Sequence, residues 1–83
     1  MIEVLYFARL REQLDCPGEG IDPAGLQSVA DLIGRLRVRG GAWEEVFAGD
    51  QPVLMAVNQE MADPARALRD GDEVAFFPPV TGG

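Results

Sequence analysis

The sequence predicts a small α+β domain, and three observations predict it. Two apolar runs rich in β-branched and aromatic residues stand near the ends of the chain, at residues 2–8 and 73–77. One stretch beginning at Ser28 carries the i, i+3, i+4, i+7 spacing of a helix with a single buried face. The elements run in the order ββα and then ββ, which one amphipathic helix laid over a small mixed sheet satisfies as a two-layer fold.

Each element has its own local reason. In the first strand, alternation puts Ile2, Val4, Tyr6 and Ala8 on one face and Glu3, Leu5 and Phe7 on the other. Arg9 to Leu14 reads as a short helical turn, closed by Cys16-Pro17-Gly18. A weak second strand is expected around Gly20 to Pro23, which makes the first 22 residues a loose hairpin. Ser28 is placed to cap the main helix, with Asp31 three residues on as a short form of the capping box. Val29, Leu32, Ile33 and Leu36 form its buried face, and Gly40-Gly41 ends it. Trp43 to Phe47 is expected to be a further short turn that packs both rings under the sheet.

Pro52 to Asn58 is the next strand, Asn58-Gln59-Glu60 a turn, and Met61-Ala62 a short return. Pro64 to Leu68 is another local turn. Asp70-Gly71-Asp72 is a tight turn signal, and Glu73 to Phe77 the final strand. This order of elements is that of the β-grasp, or ubiquitin-like, roll. In that fold the first and last strands lie parallel at the sheet centre.

Composition narrows the function. The chain has 83 residues, which make one small domain with a thin core. One cysteine and no histidine leave neither an intramolecular disulfide nor a Cys/His metal cage, so the fold must rest on its 47% hydrophobic content. A lone thiol fits a reducing, cytoplasmic compartment. No leader-like segment and no apolar stretch of membrane-spanning length is present, so a membrane is not an expected partner. The formal charge of −7 argues against nucleic acid, which needs a basic footprint, and favours encounter with basic partner proteins. All seven basic residues are arginine, so the chain carries no lysine for a copy of itself to acylate.

The end of the sequence is the part that carries chemistry. A β-grasp body of residues 1–77 is followed by a tail of residues 78–83, Pro78-Pro79-Val80-Thr81-Gly82-Gly83. The prolines stiffen the exit from the last strand. The two glycines let the backbone enter a slot too narrow for any side chain. The reactive group of the tail is the carboxylate of Gly83. Nothing else in the chain resembles a catalytic centre: there is no histidine, no activated nucleophile and no phosphate-binding loop. The chain alone is therefore expected to catalyse nothing.

The segment from Asp70 to Gly83, Asp-Gly-Asp-Glu-Val-Ala-Phe-Phe-Pro-Pro-Val-Thr-Gly-Gly, resembles the C-terminus of the small subunit of molybdopterin synthase, the MoaD family. Ala56-Val57-Asn58-Gln59 resembles that family's central strand and turn. Val4-Leu5-Tyr6-Phe7-Ala8, followed by Leu10-Arg11-Glu12, resembles its first strand and the turn after it. The resemblance spans both ends and the middle of the chain, and residues 15–52 share only its pattern. A terminal Gly-Gly alone is a weak signal. The Phe-Phe-Pro-Pro-Val-Thr-Gly-Gly run behind Asp-Gly-Asp is a strong one.

The resemblance implies a sulfur carrier. An E1-like (MoeB-like) activating enzyme would use ATP to adenylate Gly83, and a sulfurtransferase would convert the adenylate to a thiocarboxylate. Val80, Thr81 and Gly82 would thread into the large, MoaE-like synthase subunit, where the sulfur passes to a cyclic pterin precursor. No cofactor would be bound by the chain itself. Each step is chemically reasonable, because adenylation neutralises a poor electrophile and installs a leaving group.

Three side chains point to a docking surface. If Val74 and Phe76 face the helix, Phe77 and Phe7 face outwards on adjacent parallel strands, and Met61 extends them into an apolar patch beside the tail. The bland alternative is that loops partly cover them. Arg11 matches the family's Arg-Glu pair and could reach a partner carboxylate, or form an exposed salt bridge of its own. Cys16 has no histidine to activate it and no second cysteine to resolve it, so a half-buried structural thiol is favoured over a sulfur relay. Asp70 and Asp72 read as turn formers and not as a metal site.

Related carriers share the tail chemistry. A sulfur carrier for thiamin thiazole, cysteine or tRNA thiolation, or a ubiquitin-like protein modifier, would look similar at Gly82-Gly83. An interaction module with an inert tail is the blandest reading. The Phe76-Phe77-Pro78-Pro79 stretch favours molybdopterin.

Overall fold

A computed structural model describes residues 1–49 and 51–79 of the chain. Asp50 and the tail residues Val80, Thr81, Gly82 and Gly83 lie outside the described residues. The elements are β1 (Ile2–Tyr6), α1 (Arg9–Leu14), β2 (Gly18–Ile21), α2 (Val29–Arg37), α3 (Ala42–Ala48), β3 (Leu54–Val57), β4 (Glu60–Ala62) and β5 (Glu73–Phe77). The strands form one sheet in the order β2-β1-β5-β3-β4. β1 and β5 pair in parallel at its centre, and the other pairings are antiparallel. This is the α+β, β-grasp arrangement that the order of elements predicts.

Alternation along the central strands divides the sheet into two faces. Ile2, Val4 and Tyr6 of β1 and Val74 and Phe76 of β5 are buried. Against them pack Val29, Leu32 and Leu36 of α2, all fully buried. Burying a side chain of this size stabilises the fold by about 1.5–3 kcal/mol. Ser28 caps α2 as expected: its Oγ accepts the Asp31 N–H at 3.3 Å. The return bond differs from a capping box, because Asp31 Oδ2 accepts from the Gln27 N–H at 2.9 Å.

Several boundaries depart from the sequence reading. Ala8 does not continue the buried face of β1: its backbone has φ 54 and ψ −135, the strand stops at Tyr6, and the side chain is exposed. β2 begins and ends two residues early, because its register sets Ile21 against Ile2, and Asp22 then turns the chain by accepting the Ala24 N–H. α2 ends at Arg37, three residues before Gly40, and Arg39 and Gly40 close it with N–H bonds back to Leu36 and Arg37. The Trp43 to Phe47 segment is not a turn but the seven-residue helix α3. β3 excludes both Pro52, which has no N–H for a ladder, and Asn58, which has a positive φ.

The β3–β4 connection is a two-residue hairpin. Asn58 and Gln59 both have positive φ, 50° and 68°, as a type I′ turn demands. Asn58 also ties this hairpin to the start of β5. Its Oδ1 accepts the Glu73 N–H, and its Nδ2 donates to Asp72, both at 3.0 Å. Among the described residues, no helix is long and apolar enough to cross a membrane, and no group of acidic or sulfur side chains could hold a metal ion.

Candidate functional site: the exit of the last strand and its open face

β5 occupies the middle of the sheet, with β1 on one side and β3 on the other. The tail therefore leaves from a strand that is hydrogen-bonded on both edges. Its last inward residue, Phe76, is fully buried and held by two rings. Tyr6 stacks on it with centroids 6.1 Å apart and planes 13° apart, and Phe47 of α3 meets it edge-on at 5.0 Å. Trp43 closes the column edge-on to Tyr6 at 5.3 Å. Offset-stacked and edge-to-face pairs such as these add about 0.5–1.5 kcal/mol each beyond their buried area. Pro78 and Pro79, the last described residues, are half-buried.

The face away from the helices is apolar and open. Register runs a row across all five strands: Gly18, Leu5, Ala75, Ala56 and Met61 stand side by side on this face. A second row, nearer the tail, pairs Phe77 with Leu54. Phe7 follows directly on β1, and its N–H donates to the Phe76 carbonyl at 3.1 Å. Phe7 is 45% and Met61 63% exposed, whereas Phe77 is half-buried. Phe7 and Met61 are thus open to solvent, while Phe77 is partly covered. Phe7 and Phe77 are backbone neighbours, and the stacked aromatic pairs among the described residues are those of the core.

Arg11 is exposed on α1 and, among the described residues, forms no ion pair. Cys16 is half-buried, and its thiol donates to the Gly18 carbonyl at 3.5 Å, as a structural thiol would.

One cluster was not legible beforehand. The Tyr6 hydroxyl donates to Glu19 at 2.9 Å, and Arg39 grips the same carboxylate with two bonds of 2.7 and 2.8 Å. The Arg39 guanidinium also lies 4.4 Å from the centre of the Trp43 ring. Burial, then the bond to Glu19, pushes the Tyr6 phenol far above its ordinary range. The Arg39 bond holds the Glu19 carboxyl below its usual range. The cluster clamps β2, β1, α3 and the α2–α3 connection together behind the column that anchors Phe76. The Ser28–Asp31 cap could be found from spacing; this clamp joins residues with no periodic relation.

The structure thus brings Phe7, Met61 and Phe77 onto one face beside the exit of the chain. It sets Arg11 on α1, which follows the same end of β1. It says nothing of Val80, Thr81, Gly82 and Gly83, which lie outside the described residues.

Residues 4–83 match the ThiS family. The chain is 40% identical to the molybdopterin synthase sulfur carrier subunit of Escherichia coli over 83 residues, the whole of both chains. Its fold superposes on SAMP1 of Haloferax volcanii with a TM-score of 0.82 and 32% identity, covering 99% of this chain and 98% of that one. It also superposes on a chain in the complex of subunits 1 and 2 of the molybdopterin-converting factor from Helicobacter pylori, with a TM-score of 0.71. There the identity is 24%, over 99% of this chain and 97% of that one, a likeness of fold alone.

Proposed function

This chain belongs to the ThiS family, and from that premise we propose that it is the sulfur carrier subunit of a molybdopterin synthase. The observation that carries the reading is the end-to-end similarity to the Escherichia coli carrier, with no gap in coverage on either chain. The fold supports it by giving the tail a rigid root at Phe76 and an open apolar face around Phe7, Phe77 and Met61.

Gly83 is the carrier residue in this proposal. Its carboxylate attacks the α-phosphorus of ATP on an E1-like activating enzyme, giving the acyl-adenylate and releasing pyrophosphate. Sulfide from a sulfurtransferase then displaces AMP and leaves a thiocarboxylate. Val80, Thr81 and Gly82 thread the large synthase subunit, and the sulfur passes to a cyclic pterin precursor. The carrier contributes position and its partners contribute the catalytic groups. Phe7, Phe77 and Met61 dock the large subunit, and Arg11 meets a carboxylate beside the tail's entry. The setting is the cytoplasm, and neither metal nor cofactor is held by the chain.

The test is an intact mass measured after incubation with the activating enzyme, ATP and a sulfur source. Exchange of one oxygen for sulfur adds about 16 Da, on this acyl-transfer scheme. Deletion of Gly83 abolishes the gain and leaves the melting temperature nearly unchanged, since a terminal residue adds little stability. A full-length chain that stays at its unmodified mass overturns the sulfur-carrier reading.

The likeness to SAMP1, a small archaeal modifier protein, supports a second reading as a protein modifier. The fate of Gly83 separates the two. A modifier leaves Gly83 in a stable amide with a partner's lysine, whereas a carrier returns Gly83 as a carboxylate once its sulfur is spent.

A further inference from the structure

β2 carries glycine at both of its outward positions. Gly18 stands beside Leu5 and Gly20 beside Glu3 on the open face. With no side chains there, the sheet surface drops at its β2 edge into a shallow trough of about 470 Å³, bordered by Met1, Leu5 and Pro17 and with Glu3 on its rim. The depth at Gly18 is built in, because a Cβ there would lie 2.9 Å from both Leu5 Cδ2 and the Val4 carbonyl. Gly20 is different. A Cβ there meets only the flexible end of Met1, at 3.2 Å, so its absence is not forced by packing. The trough is continuous with the apolar face through Leu5, which neighbours Ala75.

The rim carries an electrostatic liability. Glu3 and Glu73 lie directly side by side on β1 and β5. Like charges in that position destabilise a sheet. Among the described residues, the four ion pairs involve neither of them. No arginine borders the trough, and the terminal ammonium of Met1 at its edge is taken up by Asp70. An apolar hollow beside two adjacent, uncompensated carboxylates is complementary to an aliphatic side chain next to a cation.

We propose that the trough over Leu5, between Gly18 and Gly20, receives an aliphatic side chain of the large synthase subunit, while a neighbouring arginine or lysine of that subunit settles between Glu3 and Glu73. This rests on the sulfur-carrier reading and adds to the Phe7–Phe77–Met61 patch a lateral contact that selects the partner by charge. A cation seated there meets both carboxylates at once. Exposed rim charges act chiefly on encounter and specificity.

Two substitutions test it with the full chain and the cognate large subunit, with affinity read by calorimetry and fold by melting temperature. Gly20→Leu fills the trough without a clash against backbone, and Glu3→Lys gives Glu73 an internal partner. Glu3→Lys is expected to raise the melting temperature and yet weaken binding about tenfold or more, a pair of opposite effects that a purely structural role does not produce. Gly20→Leu is expected to keep the melting temperature and to weaken binding similarly. Wild-type affinity falls with added salt, and that of Glu3→Lys changes little. Wild-type binding with both variants binding equally well overturns the trough contact and leaves the sulfur-carrier reading standing. Concentration-dependent dimers of the free chain that both variants abolish, with affinity for the large subunit intact, assign the trough to a second copy and overturn the proposal. A wild-type chain that binds no large subunit, and gains no sulfur in the mass test, overturns the reading itself and the contact with it.

Discussion

Tyr6 and Phe76 stack with their ring planes 13° apart on the two central, parallel strands, and this stack joins the root of the tail to the core. Phe76 is the last inward side chain before the prolines. Tyr6 in turn is fixed by its hydroxyl bond to Glu19 and by the edge of Trp43. The direction in which the tail leaves is therefore set by an aromatic column that crosses the whole core.

Removing the ring at the root of the tail tests this anchoring. Phe76→Ala leaves a cavity between Tyr6 and Phe47 and is expected to cost about 3–5 kcal/mol, the usual range for a buried phenylalanine. A urea titration reads the loss as a lower midpoint. A midpoint within experimental scatter of the wild type would show that the column is not what holds β5.

The open face, proposed as the docking surface, makes the opposite kind of prediction. Phe7→Ala and Met61→Ala remove exposed side chains, so each leaves the melting temperature almost unchanged. Combined with Phe77→Ala, they are expected to weaken the complex with the large subunit by about 2 kcal/mol or more, as truncation of central apolar anchors does. Isothermal titration of the triple variant decides the matter, and undiminished affinity sinks the docking assignment.

The hairpin turn offers a stabilising change. Gln59 adopts φ 68 in a type I′ turn, a position that prefers glycine. Gln59→Gly is expected to raise stability by about 0.5–1 kcal/mol, since it removes left-handed strain from a non-glycine residue. The signature is a higher denaturant midpoint with an unchanged slope.

Stability should fall at both ends of the pH scale, for separate reasons. The Tyr6 phenol is raised, so its contribution is complete below the ordinary tyrosine value of about 10 and is lost above it. Glu19 is held low by Arg39, so its contribution is complete above the ordinary glutamate value of about 4.3 and is lost below it. Asp72, held down by Asn58 and the Arg69 N–H, adds to the acid side. Tyr6 is the chain's single tyrosine, so phenolate absorbance at alkaline pH reports it alone. That absorbance is expected to rise only as the protein unfolds, and Glu19→Gln is expected to flatten the acid limb. Free titration of the phenol in the folded chain would contradict the Tyr6–Glu19 bond.

Much of the frame could be read from spacing. The alternation of Ile2, Val4 and Tyr6, the buried stripe of Val29, Leu32 and Leu36, and the Ser28 cap are each local patterns with a local cause. That Phe7 and Phe77 share a face follows from parity once β1 and β5 are parallel neighbours, whereas Met61, on β4, is set on that face by the register of β3 and β4. What was not legible depends on register or on loop placement. Alternation alone sets Leu5 on the face of Phe7 and Ala75 on that of Phe77, but Leu54 and Ala56 join the open face only when β3 is aligned with β5. Glu3 and Glu73 become adjacent only in the observed register. Glu19 and Arg39 lie in different elements, and nothing in either segment announces the other. The end of α2 was misplaced because glycines mark where a helix cannot continue, while Arg39 leaves the helix earlier to reach Glu19 and Trp43.

The central position of β5 also has a mechanical meaning. A chain end drawn into a narrow channel, and later drawn out of it, transmits tension to whatever strand it continues. At the edge of a sheet such a pull could peel hydrogen bonds away one after another. Here the strand is bonded to β1 along one side and β3 along the other, so tension along its axis shears both ladders at once. A pull along β5 is thus borne by the two central pairings together, β1–β5 and β3–β5.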